Sequence, residues 1–135
     1  MRTRFLSWVG ALAAGVMLGA TGCSSLSSET IQYLGVPARP PRDWTTVTLL
    51  REMPRRPHEK LGEVVLSASL DPAPKVEKIE TLLRKKAAAL GADAVVLRRD
   101  QVEVTGSWVS GPYWSPLITP VRSRVIVGVA IRYTD

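Results

Sequence analysis

From Val121 to Tyr133, apolar and polar side chains alternate. Val121, Val125, Val127, Val129, Ile131 and Tyr133 fall on one side of an extended chain, with Ser123 the one polar member. Arg122, Arg124 and Arg132 fall on the other side with Ile126, Gly128 and Ala130. A period of two is the mark of a strand, and this one predicts a buried face and a largely solvated one. Trp44–Leu50 and Leu61–Leu70 are rich in β-branched and apolar residues and read as two further strands. Ala94–Leu97 is a strongly apolar strand whose pattern continues towards Val104. Between the second and third strands the period changes. Val76, Ile79, Leu83, Ala87 and Leu90 recur every three or four residues and form the stripe of a helix. Glu77 and Glu80 near its start, and Arg84, Lys85 and Lys86 near its end, suit the helix dipole. Gly91 is placed to stop it.

The breaks fall between these segments. Pro54 and Pro57 keep Arg51–Lys60 out of a central strand or helix, leaving a loop that carries Arg51, Arg55, Arg56, His58 and Lys60. Asp71-Pro72-Ala73-Pro74 ends the second strand. Val109–Pro120 contains Gly111 and three prolines and reads as a loop. The predicted order is therefore ββαββ, an α+β fold with a mixed four-stranded sheet and one helix packed on one face. The helix makes a right-handed crossover between two parallel strands. The last two strands pair antiparallel across the proline-rich loop.

The N-terminal part has a different texture. Residues 24–43 are serine-rich, then proline- and arginine-rich, which predicts a flexible or extended tether. Tyr33–Val36 is an apolar island within it, with docking on the domain left open. Upstream, Arg2 and Arg4 precede an uncharged, mostly apolar run from Phe5 to Ala20, and Ala20, Thr21 and Gly22 lead directly to Cys23. These are the three parts of a secretory signal. The run is short for a bilayer span, which needs about 20 residues.

Cys23 is the chain's single cysteine. Ala20-Thr21-Gly22-Cys23 resembles the lipobox of bacterial lipoproteins, although leucine is more usual where Ala20 stands. The resemblance implies diacylglycerol on the Cys23 thiol, cleavage before Cys23 and acylation, with palmitate for example, of the new amine. Such chains contribute about 0.8 kcal/mol per buried methylene, and more than one is needed for stable anchoring. A lone thiol in an oxidising compartment would otherwise be a liability. Ser24 resembles the pattern of lipoproteins sent to the outer membrane of Gram-negative cells. The expected organisation is a signal peptide over residues 1–22, a lipidated tether over 23–43 and a folded domain over 44–135, anchored at the outer membrane and facing the periplasm.

The formal charge is +6; Arg2 and Arg4 supply two of those charges, leaving +4 after cleavage. That modest excess serves solubility or attraction to anionic lipid, lipopolysaccharide phosphates or peptidoglycan carboxylates. A secreted, tethered protein does not meet nucleic acid. No internal repeat is visible. His58 is the sole histidine, so neither a histidine-rich metal site nor a Cys–His dyad can be assembled. No glycine-rich phosphate loop occurs. No catalytic residue, metal ligand or cofactor is expected. Trp108, Tyr113 and Trp114 flank Gly111-Pro112 and either fold back over the sheet as a minicore or meet a partner. Arg55 and Arg56 are either solvated or face anionic envelope material.

One longer signature remains. Lys85–Leu97, KKAAALGADAVVL, follows Leu61–Val64, LGEV, and precedes Val127–Ala130, VGVA. In this order they resemble small bacterial proteins of the YbjQ-like and RcsF-like type, over Leu61 to Tyr133. The glycine, alanines and valines of this signature specify a fold rather than a catalytic group. The RcsF-like resemblance implies an outer-membrane lipoprotein that senses envelope stress through protein contacts. The YbjQ-like one implies binding of a small ligand or metal. This chain departs from both, with no second cysteine for a disulfide and one histidine for a soft metal. The resulting expectation is a membrane-anchored lipoprotein with a non-catalytic interaction, sensing or structural role, and an envelope protein as partner. The alternative is a ligand- or metal-binding YbjQ-like domain.

Overall fold

The computed structural model describes residues 23–134. The predicted signal peptide, residues 1–22, lies outside the described residues. The fold is α+β: one helix and a mixed sheet of five strands in the order β1-β3-β5-β4-β2. The strands are β1 Leu26–Gln32, β2 Thr48–Leu50, β3 His58–Ala68, β4 Ala94–Ser110 and β5 Leu117–Tyr133, and the helix α1 spans Val76–Ala89. Three antiparallel pairings join β1 to β3, β3 to β5 and β5 to β4, and β2 lies parallel to β4.

The helix is the one the stripe predicts. Ile79, Leu83, Ala87 and Ala88 are buried, whereas Val76 at its open end is exposed. Gly91 ends it at φ +80°. The Gly91 N–H donates to the Ala88 carbonyl at 2.9 Å and the Ala92 N–H to the Ala87 carbonyl at 3.1 Å. Those are the two bonds of a Schellman motif. On the sheet side, a Cβ on Gly128 would come within 2.7 Å of Val95 Cγ2 and 3.3 Å of Leu83 Cδ2. Glycine at that position lets α1 close on the strands.

Five features differ from the sequence expectation. First, the predicted flexible tether over 23–43 is part of the fold: β1 is a fifth strand, at the sheet edge, with Leu26 opposite Ala68 and Gln32 opposite Gly62. Its two serines and one threonine suit an edge strand with one open side. The proline-rich run after it lies along the end of α1, where the Arg42 N–H donates to the Ala88 carbonyl and Arg39 pairs with Glu59 at 2.7 Å. Val36 of the apolar island packs on the core, while Leu34 is fully exposed.

Second, the predicted strand Trp44–Leu50 begins as a 3-10 turn, Trp44–Thr46, because Asp43 caps it through the Thr45 N–H. Third, β3 and β4, predicted as adjacent parallel strands, run in the same direction but with β5 between them. The hydrogen-bonded parallel pair is β2 with β4. Fourth, both faces of the sheet are covered in the body. Ile126 and Ala130 lie in the cluster under α1 with Val64, Leu66 and Val95. Val129 and Ile131 point the other way, joining Ala94 and Val96 beneath Leu50, Met53 and Tyr133. The face expected to be solvated, with Ile126, Gly128 and Ala130, is thus the one α1 covers, and the loop from β2 to β3 covers the face expected to be buried. Fifth, half of the predicted proline-rich loop is strand: β4 runs on to Ser110 and β5 starts at Leu117.

Candidate functional site: the hairpin arm and the chain start

The extension of β4 and β5 produces an arm. The last residue of β5 paired with β3 is Arg124, opposite Ala68. Beyond it β5 has only β4 as neighbour, and the ladder continues to Ser110 opposite Leu117. At about 3.3 Å per residue this carries the hairpin about 23 Å past the end of the sheet. Of two register shifts in β4, the one at Leu97/Arg99 lies in the body and the one at Val104/Gly106 lies on the arm, and bulges of this kind bend a ribbon and increase its twist. Pro120 stands where β5 has an open outer edge, so the missing N–H costs no bond in the sheet.

The base of the arm is charged and paired. Arg124 donates to Asp100 through both Nε (2.6 Å) and an Nη (2.5 Å). This bidentate bond holds the Asp100 carboxyl below the usual carboxylate range and raises Arg124. Arg99 bonds Glu103 at 3.0 Å. Past this point the chemistry changes. From Val104 to Val121 there is no charged side chain. The turn closes through the Ser115 N–H to the Pro112 carbonyl at 2.9 Å.

The aromatic residues do not fold back as a minicore. Trp108 is 72% exposed, Tyr113 97% and Trp114 84%. Leu117, Ile118 and Val109 are also exposed. Val109 is opposite Ile118 and Trp108 opposite Thr119; neighbouring pairs alternate faces, so both faces of the hairpin carry bare apolar groups. Sequence reading singled out the three aromatics and missed Val109, Leu117 and Ile118. The signal for them was the uninterrupted absence of charge between Glu103 and Arg122.

Cys23 is exposed at the start of the described chain. Immediately after it the Ser25 N–H donates to Ser69 Oγ (3.0 Å), and the Ser69 N–H donates to the Ser25 carbonyl (2.9 Å). Ser69 Oγ donates in turn to the Pro72 carbonyl (2.7 Å). The chain start is thereby fixed to the end of β3. Because Leu26 is opposite Ala68 and Ala68 is opposite Arg124, Cys23 and the arm leave the sheet at the same end. A groove of about 590 Å³ at that end lies between Leu26 and α1, with Lys75, Lys78 and Lys85 on its rim.

The basic loop is elsewhere. Arg55 and Arg56 are exposed, and Arg56 lies 4.3 Å from the centroid of the Tyr133 ring. His58 opposite Tyr133 marks the other end of the sheet. The structure therefore separates Arg55 and Arg56 from Trp108, Tyr113 and Trp114. His58 Nδ1 lies 2.7 Å from the Arg56 carbonyl oxygen. Asp93 pairs with Arg42 and accepts the Tyr133 N–H at 3.0 Å, and Glu63 accepts the Tyr33 hydroxyl at 2.7 Å. Burial and Glu63 together push Tyr33 up to about 12. Among the described residues no group of three or more His, Cys, Asp or Glu is placed to hold a metal ion, and no helix is long and apolar enough to cross a membrane. No family model, curated protein or solved structure matches this chain.

Proposed function

We propose that this chain is an envelope lipoprotein, acylated at Cys23, whose folded part has a non-catalytic interaction, sensing or structural role. The observation that carries this reading is the place of Cys23: it closes the lipobox-like Ala20-Thr21-Gly22-Cys23, it is exposed, and it stands three positions before β1 starts at Leu26. The outer membrane, facing the periplasm, is the expected site, on the strength of Ser24. The likeness of Lys85–Leu97 to RcsF-like proteins fits the same role, whereas its likeness to YbjQ-like proteins would fit binding of a small ligand or metal.

The non-catalytic part of the proposal rests on where the titratable groups are used. Asp93 and Glu63 each serve a structural hydrogen bond, and His58 lies against a backbone carbonyl. The most distinctive open surface is the arm. Labelling cells with radioactive palmitate tests the anchor: the wild type takes the label and Cys23→Ser does not. Equal labelling of both, or of neither, refutes acylation at Cys23.

A further inference from the structure

We propose that the tip of the β4–β5 arm enters the interfacial layer of the membrane that holds the lipid anchor, and so acts as a second, protein-made attachment. The proposal rests on the anchor reading, and adds to it the occupant of the arm's apolar surface. Four observations point to a bilayer. The arm leaves the sheet at the same end as Cys23, and about 23 Å of ribbon reaches beyond Arg124, against at most about 10 Å for the three residue steps from Leu26 back to Cys23. A membrane at Cys23 is therefore within reach of the tip. The tip carries no charge between Val104 and Val121. Its exposed residues include two tryptophans and a tyrosine, the side chains that settle at membrane–water interfaces. Finally, apolar groups stand on both faces of the ribbon, as surrounding lipid would require and a single docking face would not.

The charge around the tip agrees. Lys75, Lys78 and Lys85 rim the groove beside Ser24 and Leu26, and Arg122 stands at the foot of the uncharged stretch. These cations would face anionic headgroups while the tip lies deeper. The depth is limited by the backbone. Along the arm each strand has one outer edge without a neighbour, and unsatisfied N–H and C=O groups are not tolerated in hydrocarbon. The tip thus goes to the headgroup–acyl boundary and not across the bilayer. There is no long tether to hold the domain away, since the fold starts three residues after Cys23.

The test uses the full chain, purified from membranes and reconstituted in phosphatidylethanolamine/phosphatidylglycerol vesicles. Trp8→Phe and Trp44→Phe leave Trp108 and Trp114 as reporters. Lipids brominated high on the acyl chain are expected to quench them at least about twofold more than lipids brominated near the bilayer centre. Leu117→Asn with Ile118→Asn, both at exposed positions, is expected to reduce that quenching without moving the melting temperature. Emission indifferent to either bromine position and open to acrylamide overturns the proposal. So does protection of the tip by crosslinks to a second copy. Palmitate labelling of the same preparation reads the anchor separately. A labelled chain with an unquenched tip refutes the arm and keeps the anchor, whereas an unlabelled chain with a quenched tip does the reverse.

Discussion

The body of the sheet and its arm are made of the same two strands, yet they obey different rules. Between Ala94 and Val96 on β4, and Ile126 and Ile131 on β5, side chains on both faces are buried, under α1 on one side and under Met53 on the other. Past Glu103 and Arg122, the same strands carry Trp108, Val109, Leu117 and Ile118, all exposed. Burial of apolar surface, at about 25 cal/mol per Å², explains the residues of the body. It does not explain those of the arm, which contribute little to folding. An exposed apolar patch of this kind marks an interaction surface. The contrast assigns stability to one region and contact to the other.

That contrast can be broken by substitution. Leu83→Ala, in the body, is expected to cost about 2–5 kcal/mol in a denaturant melt. Val109→Ser with Ile118→Ser, in the arm, should stay within about 0.5 kcal/mol. Comparable losses in both would mean the arm is part of the core.

Next in size, Gly91→Ala places a Cβ at φ +80° and 2.9 Å from Arg39 Cβ. The left-handed backbone alone costs about 1–2 kcal/mol, and Thr105→Ala on the arm serves as the near-neutral control in the same thermal melts.

A smaller effect is expected where body meets arm. Asp100→Asn removes the charge and one of the two acceptor oxygens of the Arg124 pair, which is partly exposed and contributes about 0.5–1 kcal/mol. The sign follows from the lowered Asp100 carboxyl. Its stabilisation is present above the ordinary carboxylate value of 3.8 and is lost as pH falls through the lowered one. Melting curves of wild type and variant should differ at pH 6 and converge in strong acid; a gap that persists there contradicts the assignment.

The smallest effect at neutral pH is at Tyr33. Its hydroxyl is raised from 10.0 to about 12, so the unfolded chain ionises first and stability falls as pH climbs through that window. Tyr33→Phe should flatten this alkaline slope.

Residues with a strong period were legible in the sequence. Ile79, Leu83 and Ala87 revealed α1, Gly91 its end, and the alternation after Val121 revealed β5. The strand β1 was hidden because LSSETIQ gains its place from the β3 ladder rather than from its own apolar content. The burial of the second face was hidden because Ile126, Gly128 and Ala130 share it with Arg122, Arg124 and Arg132, and no local pattern reports that α1 packs on that side. The arm was half legible. Trp108, Tyr113 and Trp114 were visible as candidates, but three prolines made their segment look like a loop. On a two-stranded arm, prolines fit the turn and the open edges. That Cys23 and the tip share an end of the molecule depends on register, which pairing sets over long sequence distances.

The most direct test places a photocrosslinking amino acid at position 114 or at position 34 in the full chain, in cells. Leu34 is fully exposed but follows β1 at the opposite end of the sheet. The account predicts lipid adducts from position 114 and few or none from position 34. Adducts to lipid from both positions equally, or to protein alone from position 114, would contradict it.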